Sequence, residues 1–294
     1  MKQHLVENYP NDVLYYDAEW DNEKKIICGL ESFSNALVER LKAQFMNDLP
    51  NDTLTPEAEQ MNYDTTFIQE QVGVFSGRTY YLDDLSEFMF SNDTIITMRG
   101  YSGIGKSCLL AKFAQNLNEN GDVFSVALFL GNGKYLTTPV EILRSLIYRI
   151  ELFLGCIAKK LSSLSVEELK NYAINVIREV CKIKPLVIII DNLDILSHDD
   201  RARIFTFLPL PNEEIPGYKM IFTATDKLEL PEKMLYGKQH TTFKIEGVGE
   251  NAIVEIINKI LSENGKELSN EASKRFSKVA LFRSPFYILN SAEI

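Results

Sequence analysis

Lys106 and Ser107 close the run Gly100-Tyr101-Ser102-Gly103-Ile104-Gly105-Lys106-Ser107, whose Gly-x-x-x-x-Gly-Lys-Ser spacing suits a polyphosphate. The glycines let the backbone curl so that successive N–H groups converge on one phosphate, and a helix N-terminus behind the loop adds partial positive charge. Lys106 would reach the β- and γ-oxygens. Ser107 would offer its hydroxyl to Mg²⁺, a hard cation that takes oxygen ligands. The contacts expected from this stretch are Gly100, Ser102, Gly103, Ile104, Gly105, Lys106, Ser107 and Cys108, and the ligand they imply is a nucleoside triphosphate with magnesium.

A magnesium site of this kind needs a second acid. Val187-Ile188-Ile189-Ile190-Asp191 supplies one at the end of an apolar strand. A carboxylate there is costly unless it serves the metal or caps the next helix. Asp194, three residues on, either orients an attacking water or caps the same helix. Thr223 and Thr225 end a later strand where a γ-phosphate sensor would sit, or are ordinary strand threonines. Thr225-Asp226-Lys227 does not supply the Asn-Lys-x-Asp that would read guanine, so adenine is favoured.

These groups need elements to carry them. Thr94–Met98, Val123–Leu130, Leu186–Ile190, Lys219–Ala224 and Thr242–Ile245 read as short apolar strands. Lys106–Asn118, Pro139–Leu154, Val166–Cys181 and His198–Phe207 read as the helices between them. The alternation implies an α/β fold with a parallel sheet flanked by helices, because strands this apolar must be covered on both faces. Glu250–Asn264 and Ser269–Leu281 read as helices of a small C-terminal helical domain.

The domains expected are an N-terminal segment over 1–50 with a helix at Gly29–Phe45, a turn-rich linker over 51–73, the nucleotide-binding domain over 74–247 and a helical lid over 248–294. The last residues stop within a helix-compatible pattern without a capping signal, which suggests a piece of something longer.

The 294 residues carry a net charge of −10. That balance opposes a phosphate backbone, and nucleic acid is not expected as a partner. Cys28, Cys108, Cys156 and Cys181 are too far apart for a zinc site and suggest a reducing compartment. Neither a signal peptide nor an apolar run of membrane length is visible, so a cytoplasmic protein without a membrane partner is expected.

Around the loop the chain resembles the signal-transduction NTPases with numerous domains, of the NACHT type found in nephrocystin-like and telomerase-associated proteins. Phe75-Ser76-Gly77-Arg78 is similar to the family's Phe-x-Gly-Arg element, Asp191-Asn192-Leu193-Asp194 to its Asp-x-hydrophobic-Asp box, and Arg283-Ser284-Pro285-Phe286-Tyr287 to its proline-containing motif. The resemblance implies an AAA+-like P-loop NTPase. It adds Phe75, Gly77, Arg78 and Pro285 as adenine-side contacts, with Pro285 alternatively a helix-starting proline. It gives catalytic roles to Lys106, Asp191 and Asp194, with Ser107 and Asp191 on the metal.

The resemblance further implies an ATP/ADP switch, with a homo-oligomer or attached effector and sensor domains as partners. The family's glutamate after the second acid is Ile195 here, and its sensor arginine is replaced by Thr225, which points to slow hydrolysis or to a silent nucleotide-binding scaffold. Residues 1–46 look like the tail of an upstream effector domain.

Overall fold

The computed structural model describes residues 18–21, 26–28, 30, 33–34, 36–38, 54–156, 161–227, 240–263, 265–267, 269–279 and 283–292. They belong to two units, Met1–Leu54 and Thr55–Ile294. In the first, β1 (Glu19–Asp21) pairs antiparallel with β2 (Ile26–Cys28), Trp20 opposite Ile27. The sequence reading had not anticipated this hairpin. Of the helix expected over Gly29–Phe45, residues 33–34 and 36–38 are helical, and most of the remainder lies outside the described residues.

The second unit begins with a correction. The linker expected over 51–73 is mostly α1 (Pro56–Val74), a helix of 19 residues. Thr55 caps it by accepting the Ala58 N–H, with Pro56 at its start where a missing N–H costs nothing. The inner side of its first half carries the buried polar Gln60 and Asp64, while Phe67, Ile68 and Val72 of the second half pack on the core. Asp64, 1% exposed, accepts from the Phe129 N–H and from Gln60 and pairs with Arg149. The same guanidinium donates to the Ala127 carbonyl.

The remaining helices are α2 (Thr79–Phe90), α3 (Lys106–Asn120), α4 (Pro139–Phe153), α5 (Val166–Cys181), α6 (His198–Phe207), α7 (Glu250–Glu263), α8 (Asn270–Phe276) and α9 (Pro285–Ala292). Both α4 and α5 open with capping boxes, Thr138 with Glu141 and Ser165 with Glu168. On α5 the buried Leu169, Ala173, Val176, Ile177 and Val180 recur at helical spacing, forming the stripe that meets the sheet.

The strands are β3 (Ile95–Arg99), β4 (Phe124–Phe129), β5 (Leu186–Asp191), β6 (Tyr218–Ala224) and β7 (His240–Lys244). They form one parallel sheet in the order β4-β5-β6-β3-β7. Every strand expected from the sequence is present, shifted by at most two residues at either end. Each pleat divides between two cores: Leu186, Ile188 and Ile190 join one, Val187 and Ile189 the other. A side-chain period of two therefore puts Asp191 on the second face, with Val187 and Ile189. Thr223 follows Ile221 onto that face, where α3 also packs. A third cluster, Val248, Ile253, Ile256, Ile257 and Ile288, joins α7 to α9.

Candidate nucleotide-binding site

The loop between β3 and α3 turns on Gly103 (φ +78°) and Gly105 (φ +94°), both in the left-handed region that glycine enters without strain. Gly105 is the N-cap of α3 and supplies no side-chain oxygen. The first N–H groups of a 15-residue helix are thus left to an external acceptor, which is the arrangement an anionic phosphate requires.

Lys106 is 9% exposed, and its ammonium donates to the carbonyls of Gly100 at 2.6 Å and Tyr101 at 3.2 Å. Burial lowers its pKa, offset in part by Asp191, Asp194 and Asp226. It is a cation held under the loop with carboxylates on its far side.

Asp191 is 3% exposed at the end of β5. Because β6 lies between β5 and β3, Thr223 is its neighbour across the sheet. Thr223 Oγ1 donates to the Asp191 carboxylate and accepts the Asn192 N–H at 2.7 Å. Burial raises the Asp191 pKa, while hydrogen bonds from Ser107 and Thr223 act against that rise. A hydroxyl and a carboxylate brought together in this way are hard oxygen donors that fit Mg²⁺. That ion ordinarily takes one or two carboxylates and completes its shell with water and phosphate. Among the described residues, no three His, Cys, Asp or Glu side chains gather into a separate metal cage.

A cavity of about 350 Å³ joins these groups. Of the expected contacts, Phe75, Arg78, Ser102, Gly103, Gly105, Lys106, Ser107, Cys108, Asp191 and Pro285 line it, as do both Thr223 and Thr225. Gly77, Gly100, Ile104 and Asp194 do not. Gly77 sits at φ +67°, where a Cβ would lie 3.0 Å from Ala252 of α7. Gly100 presents its carbonyl to Lys106. Ile104 is fully buried in the core under the loop. Asp194 accepts from the Thr225 N–H at 3.0 Å and from the Thr225 hydroxyl at 2.5 Å, so its carboxylate ties the end of β6 rather than facing the cavity.

Arg78, 7% exposed, holds the loop from outside. It donates from Nη1 to the Ile104 carbonyl and from Nη2 to the Glu246 carbonyl at 2.7 Å. Cys108 donates its thiol hydrogen to the Gln71 carbonyl at 3.1 Å, and burial pushes its pKa up to about 11, so no thiolate forms at neutral pH.

Sequence reasoning missed Phe67 and Gln71, which reach the cavity from α1, and Asn192, whose backbone is left-handed at φ +64°. It also missed Val248, Ile256 and Phe286 on the C-terminal helices and their approach. Asparagine is the ordinary residue for such a left-handed turn, the one signal available for position 192.

Residues 83–224 match the family model described as nephrocystin 3, N-terminal. Comparison with curated proteins finds no match. Among solved structures, the Walker-type ATPase PABY2304 of Pyrococcus abyssi is similar at 16% identity, with a TM-score of 0.51, covering 74% of this chain and 67% of that one. Cdc6p of Pyrobaculum aerophilum is 14% identical with a TM-score of 0.46, and this chain spans about half (51%) of its length. The replication initiator DnaA, solved with AMPPCP and single-stranded DNA, is 17% identical with a TM-score of 0.43, covering 82% of this chain and 65% of that one. At such identities the fold is what the Pyrococcus protein shares. With the strand order, the glycine loop and the buried acid in place, the second unit has the fold of a P-loop, Walker-type ATPase, and residues 83–224 within it match the nephrocystin 3 N-terminal model.

Proposed function

We propose that the chain is an adenine-nucleotide switch module of the NACHT type, binding ATP or ADP with Mg²⁺ and hydrolysing ATP slowly at most. The observation that carries this reading is the single cavity lined by the glycine loop, Asp191, Thr223 and Pro285. The ammonium of Lys106 exchanges the Gly100 and Tyr101 carbonyls for phosphate oxygens. The hydroxyl of Ser107 and the carboxylate of Asp191 hold magnesium, which neutralises phosphate charge when bound. Apolar side chains of Phe67, Phe75, Val248 and Pro285 suit a base.

The C-terminal helices give the switch a moving part. Ser284 Oγ donates to the Gly103 carbonyl at 2.8 Å and the Phe286 N–H reaches the same oxygen at 3.4 Å, so a change in the loop on gaining or losing a γ-phosphate is felt by α9. A ligand can move such a contact only if it binds the two states differently.

The experiment is nucleotide extraction from purified protein, followed by titration with ADP and a non-hydrolysable ATP analogue and by solution scattering. Co-purified adenine nucleotide, at least tenfold weaker binding in Lys106→Ala and a change of scattering between the two nucleotides are expected. Equal affinities with unchanged scattering would sink the switch.

The second reading, a silent nucleotide-binding scaffold, draws on Asp194. With that carboxylate engaged by Thr225 and Ile195 exposed beside it, Asp191 is the one acid lining the cavity among the described residues. Phosphate release at the level of buffer, with binding intact, would establish it.

A further inference from the structure

A second cavity, of about 260 Å³, opens between the first turn of α1, the Tyr135-Leu136 loop, α4 and the turn at Leu161–Ser163. It shares no lining residue with the nucleotide cavity. Its wall is built from buried apolar groups, Leu136 and Leu161, with Tyr135 and Tyr148 half-buried beside them. The loop is braced: Tyr135 donates its N–H to Gln60 and its hydroxyl to Glu59. Leu136 holds a left-handed backbone at φ +66° while fully buried, a conformation a leucine adopts only where surrounding structure imposes it.

Two polar groups in this wall have no partner. Ser145 is 2% exposed, and its Oγ makes no hydrogen bond. Arg144 Nε is buried and equally unpartnered, and no carboxylate pairs with that guanidinium among the described residues. A buried hydroxyl without a partner is destabilising, because its desolvation is not repaid by a hydrogen bond. Both residues line the cavity.

A fork of N–H donors beside a hydroxyl recognises an oxyanion. Glu57 and Glu141 also line the cavity. The Glu141 carboxylate is engaged by Thr137 and by the Thr138 N–H, and two carboxylates in the same wall as Arg144 oppose a second negative charge on the ligand.

We propose that this cavity is a second ligand site that takes a small organic monocarboxylate. The carboxylate meets Arg144 and Ser145, and an aromatic or branched apolar body lies against Tyr135, Leu136, Tyr148 and Leu161. The volume is just below the roughly 300–1,000 Å³ usual for small-molecule pockets, which confines the body to one ring or a short branched chain.

The test uses the full chain and saturation-transfer NMR titrations with benzoate, 3-methylbutanoate, phenyl phosphate and benzyl alcohol. At least one of the two carboxylates is expected to bind wild type and Lys106→Ala alike, the latter removing the phosphate-loop cation as an alternative site. Binding is expected to weaken at least tenfold in Arg144→Gln and in Ser145→Ala, and benzyl alcohol and phenyl phosphate are expected to bind at least tenfold more weakly than the carboxylate. Ser145→Ala deletes an unsatisfied hydroxyl, so its melting temperature stays level or rises, and loss of binding there reports the site rather than the fold. The proposal is overturned if neither carboxylate binds wild type, if binding survives unchanged in Ser145→Ala, if it disappears in Lys106→Ala, or if phenyl phosphate or benzyl alcohol binds as well as the carboxylate.

Discussion

Thr223 and Asp191, at the ends of neighbouring strands, share a hydrogen bond in which the hydroxyl of one donates to the buried carboxylate of the other. The same oxygen takes the Asn192 N–H, so one side chain fixes both the acid and the left-handed turn after it. Thr223→Val keeps the shape, takes one of its hydrogen-bond partners from the buried Asp191 carboxylate and leaves the half-buried Asn192 N–H without its acceptor. A loss of about 1–3 kcal/mol in urea unfolding is expected, together with weaker magnesium-dependent nucleotide binding. Unchanged stability would show that the bond contributes nothing.

Asp191 should show a conflict between binding and stability. Its folded pKa lies above its ordinary value of 3.8 because burial disfavours the charge. An acid raised in this way binds protons more tightly folded than unfolded. Its ionisation therefore costs stability at all pH values above the folded pKa, and that cost fades as pH falls toward 3.8. Asp191→Asn removes the charge. At pH 7 in magnesium-free, nucleotide-free buffer it should melt at a higher temperature than wild type. The gain should shrink in acid, and magnesium-dependent nucleotide binding should be lost. A lower melting point at pH 7 would refute the assignment of burial as the dominant effect.

Arg78→Lys tests the clamp on the loop. An ammonium cannot span the Ile104 and Glu246 carbonyls that the guanidinium fork reaches together. Nucleotide affinity should fall about tenfold, and amide hydrogen exchange at residues 101–105 should accelerate. If Lys restores both, the role of position 78 is charge alone.

Removing one partner of the Asp64–Arg149 pair leaves an uncompensated buried charge. Arg149→Met should cost about 3–5 kcal/mol, and Asp64→Asn with Arg149→Met should recover a large part of it. Additive losses in a double-mutant cycle would mean that the two groups do not interact.

Much of the site was legible because its chemistry is local. Eight consecutive residues specify the loop, and one acid at the end of an aliphatic strand specifies its partner, so neither depends on contacts far along the chain. The sheet was legible for a related reason: strands covered on both faces are apolar at every position, as Leu186–Ile190 is. What escaped was set by tertiary partners. The face of α1 toward β4 carries Gln60 and Asp64 beside Phe67, and the polar pair serves Asn132, Phe129 and Arg149, which breaks the hydrophobic periodicity in the first half of the helix. The setting of Asp194 was hidden for the converse reason. Its spacing after Asp191 suggests a second catalytic acid, but the residue that claims it, Thr225, lies 31 positions on and across the sheet.

Helix α1 borders both cavities, with Pro56, Glu57 and Gln60 on one and Phe67 and Gln71 on the other. Nineteen residues make a rod of about 28 Å, and Asp64 pins it to the sheet between those two groups. Gln60 on one side of that point and Phe67 on the other hold it as well. If a carboxylate at one end of such a rod changes nucleotide affinity at the other, nucleotide must change carboxylate affinity by the same factor, since linkage between two bound ligands is reciprocal.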